Sequence, residues 1–390
     1  MSNFFMAMLV SLLVNVLIIR YHSVSQRFAG VDFDIQGVQK FHARPVPRIG
    51  GVGILLGVVA SIAVLWGRYP AIARDLLYVC LCGAPAFLSG FVEDVTKRVS
   101  VRARLFCTIF AAGLCHCLLD ITVTRTSVPA MDFLLGYAIV AALITVVAVA
   151  GLANAVNIID GFNGLASMVS IMMFASLAYV AVQAQDEVVM TASLIMMGAV
   201  IGFFVWNFPA GLVFLGDGGA YFIGFMLAEL AIVLVQRNPQ VSAWYPILLF
   251  MYPIFETCFS IYRKKLLRGM SPGIPDGMHL HMLVYKRIMR WMVGTKQVHE
   301  LTRRNSFTSP YLWLLCLLAV GPATLFWQKT IVLFAFALLF AVAYVWIYTC
   351  IVRFKVPKWI VVRVDRSDEP QTNVSVARKA FEQPASEKRA

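Results

Sequence analysis

Charge is scarce in this sequence. Of its 390 residues only 14% are Asp, Glu, Lys or Arg, and just 20 are acidic, whereas 60% are hydrophobic. A soluble core of this length does not need so much apolar surface, and a disordered chain cannot carry it. A disulfide framework, an internal repeat and a low-complexity linker are also missing. The eight cysteines lie in or beside apolar stretches and read as small buried side chains. Cys115 and Cys117, around His116, stand at i and i+2, which point apart on a helix and make a poor metal clamp. No period of 20–50 residues marks a solenoid or propeller. The first apolar run, "FFMAMLVSLLVNVLII" at 4–19, lacks the basic n-region and small-residue cleavage site of a signal peptide. It reads as an uncleaved first helix with its N-terminus outside.

What the sequence has is eleven apolar segments, at about 4–19, 49–66, 76–92, 105–121, 133–151, 162–182, 188–208, 218–235, 244–261, 310–327 and 330–352. Each suits a hydrocarbon core of roughly 30 Å. The expected fold is an all-α integral membrane protein, a polytopic bundle of about eleven transmembrane helices. Residues 1–363 form its membrane domain. Residues 364–390, polar and without a sustained apolar face, read as a disordered cytoplasmic tail.

The net charge of +13 would suggest nucleic acid until the charges are placed. With alternate loops on opposite sides, one side holds 28 of the 33 Lys and Arg, and the other only Arg68, Arg74, Arg125, Arg237 and Lys329. That asymmetry is the positive-inside pattern and puts the basic side in the cytoplasm. The excess records topology and affinity for anionic lipid headgroups, and no nucleic-acid partner is needed.

On this topology five polar clusters share the cytoplasmic side: "FHARPVPRIGG" (41–51), "GFVEDVTKRVSVRARL" (90–105), "NAVNIIDGFNGLA" (154–166), "FLGDGGAYFIGF" (214–225) and "PDGMHLHMLVYKR" (275–287). Ionisable groups at membrane depth are costly and mark function. The carboxylates Glu93, Asp94, Asp160 and Asp217 offer hard oxygens suited to Mg²⁺ shared with substrate phosphates. Arg48, Arg102, Arg104, His279 and His281 can hold phosphate oxygens. Asn154 and Asn157 present paired donors and acceptors that match an imide edge such as uracil. Together these groups describe phosphoryl transfer from a nucleotide-activated donor. Asn154, Asn157, Asp160 and Asn163 recur every third residue, and each step turns a helix by about −60°. One straight helix cannot aim all four at one ligand, but a break at Gly161 or Gly164, or a groove shared between helices, could.

In order and spacing these motifs resemble the polyprenyl-phosphate N-acetylhexosamine-1-phosphate transferases. Glu93–Asp94 resembles the family's paired acidic motif. Asn154, Asn157, Asp160, Gly161, Gly164 and Leu165 match its N-x-x-N-x-x-D-G-x-x-G-L. Gly216, Asp217 and Gly219 match G-D-x-G, and His279 and His281 match its cytoplasmic histidine motif. Glu93, Asn163, Met282 and Glu256 stand where Asp, Asp, His and Asp are common.

The resemblance implies transfer of a sugar 1-phosphate from a UDP-N-acetylhexosamine to undecaprenyl phosphate at the cytoplasmic face of a bacterial inner membrane. UMP would leave, Mg²⁺ or Mn²⁺ would assist, and a homodimer is compatible. Within that scheme Asp217 ligates the metal, and Asp160 shares it or orients the nucleotide. His279, His281 and Arg287 neutralise donor phosphates. Arg48, Arg102, Arg104, Asn154, Asn157 and Asn163 bind substrate, and Glu93 or Asp94 takes the acceptor's residual proton. Direct attack by the lipid phosphate is favoured over a covalent intermediate on Asp160. Two other classes compete: a proton-coupled transporter with Glu229 and Glu256 at the midplane, and a non-catalytic scaffold.

Overall fold

The computed structural model describes residues 2–25, 46–267, 269, 277–289 and 298–354. The tail assigned to 364–390 lies outside the described residues, as do residues 41–45 of the first polar cluster. The helices are α1 (Ser2–Ser25), α2 (Gly50–Trp66), α3 (Pro70–Thr96), α4 (Val101–Leu119), α5 (Pro129–Leu135), α6 (Ala138–Ile159), α7 (Leu165–Gln183), α8 (Glu187–Asn207), α9 (Gly216–Arg237), α10 (Trp244–Leu249), α11 (Met251–Tyr262), α12 (Leu280–Leu283), α13 (Val298–Leu325) and α14 (Thr330–Val352). Single wide turns continue α11 over Arg263–Leu267 and α12 over Val284–Ile288. The described residues contain no strand. The chain is an all-α polytopic membrane protein.

Nine of these helices are long and apolar enough to cross a bilayer, among the described residues. The other two expected segments are present in altered form. α2 is apolar but 17 residues long, and the 244–261 segment is cut at Phe250 into α10 and α11. Pro253 explains the cut. It has no N–H to give the Leu249 carbonyl four residues back, and its ring crowds that carbonyl.

α9 is the axis of the bundle. All of its 22 residues are buried except Ile232, Gln236 and Arg237, and α3, α6 and α2 pack around it. Outward faces carry large apolar side chains such as Leu9 and Leu13 on α1, Phe106 and Phe110 on α4, Leu143 and Val147 on α6, and Leu338 and Val342 on α14. Exposed apolar belts of this kind are the surface that lipid covers.

The entry of α9 is unusually close to its neighbours. A Cβ on Gly90 of α3 would strike the Asp217–Gly218 backbone, and one on Gly51 of α2 would strike Gly219. Small residues let helix backbones meet in a bilayer, where no hydrophobic force draws them together. These two wedge the first turn of α9 between α2 and α3.

Candidate active site

Gly216 opens α9 with φ of +76°, the left-handed region that only glycine enters freely. A Cβ there would collide with the Arg48 carbonyl and the Asp94 carboxylate. The turn aims the first N–H groups of α9 at α3, where Asp94 receives them. Its Oδ1 accepts from Asp217 N–H and its Oδ2 from Gly218 N–H, each at 3.0 Å. Helix starts leave four N–H groups without partners, and a carboxylate there also meets the positive end of the helix dipole. Asp94 is therefore an N-terminal cap supplied from another helix. At 1% exposure, with both oxygens committed, it is not placed to take a proton from substrate as expected.

Its neighbour Glu93, about 100° around the helix, lines a cleft instead. Glu93 Oε2 accepts Val99 N–H at 2.7 Å and closes the α3–α4 turn. Ser100 then caps α4 by accepting Ala103 N–H at 3.2 Å. The first turn of α4 carries Arg104 into the cleft, where it pairs with the Asp217 carboxylate. Arg48 approaches Asp217 from the α2 side, Nη2 to Oδ1 at 3.5 Å, with its Nε 3.9 Å from Asp94 Oδ1. Arg102 is exposed and is not among the lining residues.

α6 ends at Ile159, and α7 starts at Leu165 after Gly164 with φ of +73°. Of the two arrangements expected, the break is present and spans 160–164. Asn157, Asp160 and Asn163 all reach the cleft, but Asn154, one turn earlier, does not line it. Asn157 Nδ2 donates to the Tyr221 hydroxyl at 3.4 Å. Burial raises the Asp160 carboxyl to about 7, and nearby Arg48 pulls in the opposite direction.

Asn163 serves the turn itself. Its N–H donates to Asn305 Oδ1 at 2.8 Å, and its Nδ2 to Ser306 Oγ at 3.1 Å. Asn207 Oδ1 accepts Gly164 N–H at 2.6 Å. Asn207 and Asn305 also line the cleft. Sequence reasoning missed both because each stands alone, without motif spacing.

The fourth wall is the histidine segment. His279, His281 and Met282 line the cleft. His279 Nδ1 bonds Glu256 Oε1 at 2.9 Å. His281 is fully buried, stacks on His279 with centroids 5.2 Å apart, and meets Phe162 edge-on at 5.7 Å. Neither of its ring nitrogens has a hydrogen-bond partner among the described residues. Burial pushes its pKa down to about 3, despite an opposing pull from Glu256.

Arg287 departs from expectation. Its Nη1 donates to the Ile351 and Val352 carbonyls at 2.7 and 2.6 Å, and its guanidinium covers the Phe354 ring. It caps the C-terminus of α14, outside the cleft, where a cation suits the helix dipole. Arg287→Ala should therefore lower thermal stability by about 1 kcal/mol and leave the KM for a nucleotide donor within about twofold of wild type. A large rise in KM at unchanged melting temperature would return Arg287 to the substrate.

All five sequence clusters thus contribute walls to one cleft of about 420 Å³. Among the described residues no three His, Cys, Asp or Glu side chains cluster as a metal cage. Mg²⁺ does not require one, since it commonly takes one or two carboxylates and completes its shell with water and phosphate oxygens. Asp160 and Asp217 in the same cleft fit that donor set.

The sequence that builds this cleft is similar to known proteins. The sequence model of glycosyl transferase family 4 matches residues 76–235, which span α3 to α9. A probable undecaprenyl-phosphate N-acetylglucosaminyl 1-phosphate transferase of Bacillus subtilis is 24% identical over 246 residues, 62% of this chain and 66% of its own length. An undecaprenyl-phosphate alpha-N-acetylglucosaminyl 1-phosphate transferase of Thermotoga maritima is 28% identical over 256 residues, 65% and 72% of the two chains. A decaprenyl-phosphate N-acetylglucosaminephosphotransferase of Mycolicibacterium smegmatis is 23% identical over 267 residues, 62% and 65%. Residues 76–235 of this chain resemble glycosyl transferase family 4. The aligned part spans about two thirds of the length of these relatives, and in the B. subtilis and M. smegmatis proteins slightly less. The family 4 match ends at residue 235. His279, His281 and Asn305, which complete the cleft, lie beyond it.

Proposed function

We propose that this protein transfers an N-acetylhexosamine 1-phosphate from a UDP-sugar to undecaprenyl phosphate, releasing UMP at the cytoplasmic face of a bacterial inner membrane. The product would start a cell-surface polysaccharide. The observation that carries this reading is the cleft itself, where Arg48, Arg104, Asp160, Asp217, His279 and His281 meet at the ends of membrane-spanning helices. The names of the relatives, each a polyprenyl-phosphate N-acetylglucosamine 1-phosphate transferase, support the same chemistry.

Arg48 and Arg104 receive donor phosphate oxygens through charge-assisted hydrogen bonds. Asn157 faces the nucleotide. Asp160 and Asp217 would hold Mg²⁺ or Mn²⁺, which when bound neutralises charge on the pyrophosphate and on departing UMP. A lipid phosphate has a second pKa near 6, so it is already a competent nucleophile. With Asp94 committed to α9, Glu93 is the cleft-lining member of the pair that takes any residual proton. An oxygen of the lipid phosphate bonds to the sugar-proximal phosphorus as that phosphorus releases UMP.

The test is UMP release from a panel of UDP-sugars, with undecaprenyl phosphate and Mg²⁺ present or withheld. Release is expected only with donor, lipid and metal together. A stoichiometric UMP burst without lipid would replace direct attack by a covalent intermediate, and no release from any donor would sink the transferase reading. The transporter alternative needs Glu229 and Glu256 at one site. Glu256 is bonded to His279, Leu280 and Tyr344, whereas Glu229 lies within the α9 core with neither oxygen hydrogen-bonded among the described residues.

A further inference from the structure

We propose that Glu256 is a positioning residue for His279, fixing which ring nitrogen faces the cleft. The starting point is a buried carboxylate with an unusually complete set of donors. Glu256 is 1% exposed and lies on α11, directly behind the lining residue His279 and not itself in the cleft wall. Its Oε1 meets His279 Nδ1 at 2.9 Å and accepts Leu280 N–H at 3.1 Å. Its Oε2 accepts the Tyr344 hydroxyl at 2.6 Å. Three donors from three separate groups hold one carboxylate still.

An ionised carboxylate can only accept. The proton in the His279–Glu256 contact must therefore sit on Nδ1, which selects one tautomer of the neutral ring. Nε2 is the nitrogen left for the cleft that His279 lines. Two further contacts limit ring rotation. The backbone N–H of the next residue shares the same carboxylate oxygen, and His281 lies almost parallel on the imidazole, with an interplanar angle of 6°. His281 has no comparable anchor, so the two histidines differ in kind despite their spacing.

Carboxylates that fix a histidine's tautomer and orientation recur in metal sites and in acid–base machinery. Removing one commonly costs 10–100-fold in affinity or activity. Glu256 would act in this way, at one remove from substrate. The kinetic arm of the test rests on the transferase reading, but the spectroscopic arm does not.

Glu256→Gln keeps the shape and puts an NH₂ where an acceptor stood. It is expected to lower kcat by about 10–100-fold while the KM for the UDP-sugar moves less than about threefold. In a His279→Ala background the same substitution should have less than a twofold further effect, because residues acting as one unit are strongly non-additive. A purely structural role would instead lower both backgrounds by the same factor, and that result would overturn the proposal. Independently, ¹⁵N NMR of histidine-labelled protein in detergent should show His279, assigned by its loss in His279→Ala, protonated at Nδ1. Glu256→Gln should redistribute that signal. An Nε2-protonated ring in the wild type, or one unmoved by the substitution, would overturn the proposal even if no UMP is ever detected. Should Glu256→Gln fail to purify as a monodisperse species, Tyr344→Phe carries both arms. It frees Oε2 and should give the same pattern at reduced amplitude, and additivity with His279→Ala would again count against it.

Discussion

Asp217→Asn is expected to cut the turnover of the proposed sugar 1-phosphate transfer by about 10²–10³-fold, the scale seen when a preorganised electrostatic group is removed. Donor binding measured without divalent metal should not weaken. Asp217 is 9% exposed, and its carboxylate pairs with both Arg48 and Arg104. Neutralising it removes a carboxylate that competes with phosphate for Arg48 and Arg104, so the metal-free ground-state complex keeps its affinity while the reaction slows. Loss of kcat without loss of binding is the mark of an interaction made mainly in the transition state. Steady-state kinetics together with calorimetric titration of the UDP-sugar separate the two quantities. Near-normal kcat, or metal-free donor binding lost in proportion to kcat, would remove Asp217 from the role proposed for it.

Asp94→Asn should behave differently, although it also is an Asp-to-Asn change close by. It faces the Asp217 and Gly218 N–H groups with an amide that can accept through only one atom. One buried N–H is then left facing another donor, at a cost of about 1–3 kcal/mol, and the charge at the start of α9 is lost as well. Activity should fall, because the first turn of α9 carries Asp217, and the melting temperature should fall with it by several degrees. A general base would show the opposite combination, with turnover lost and stability intact. Thermal unfolding in detergent of Asp94→Asn beside Asp217→Asn decides the matter. An unchanged melting temperature for Asp94→Asn would restore its catalytic assignment.

That contrast shows what could be read from the sequence. The apolar runs gave the helices, and the one-sided gathering of polar clusters gave the cleft, since both depend on local composition. Direction around a helix was harder. Glu93 and Asp94 are sequence neighbours, yet one faces the cleft and the other faces α9, and no pattern in "VEDV" reveals which. Asn154 and Asn157 divide similarly, one turn apart. Arg287 stands beside the histidine motif but reaches the end of α14, a partner 64 residues away. Asn207 and Asn305 were invisible because a single carboxamide carries no signal until its long-range partner is known. The cut in the 244–261 segment was legible in principle, through Pro253.

The distance along the chain between the walls of the cleft also dictates when it can exist. Arg48 reaches an Asp217 that follows it by 169 residues, and the Asn163 turn is fastened by Asn305, 142 residues later. At synthesis rates of roughly 5–20 residues per second, each early member waits on the order of ten to thirty seconds for its counterpart to leave the ribosome. During that interval the nascent chain holds its basic and acidic groups at the membrane edge without their final neighbours. The segment that bears the family signature therefore cannot be excised as a working unit, because the turn between α6 and α7 is clasped only after α13 has been inserted.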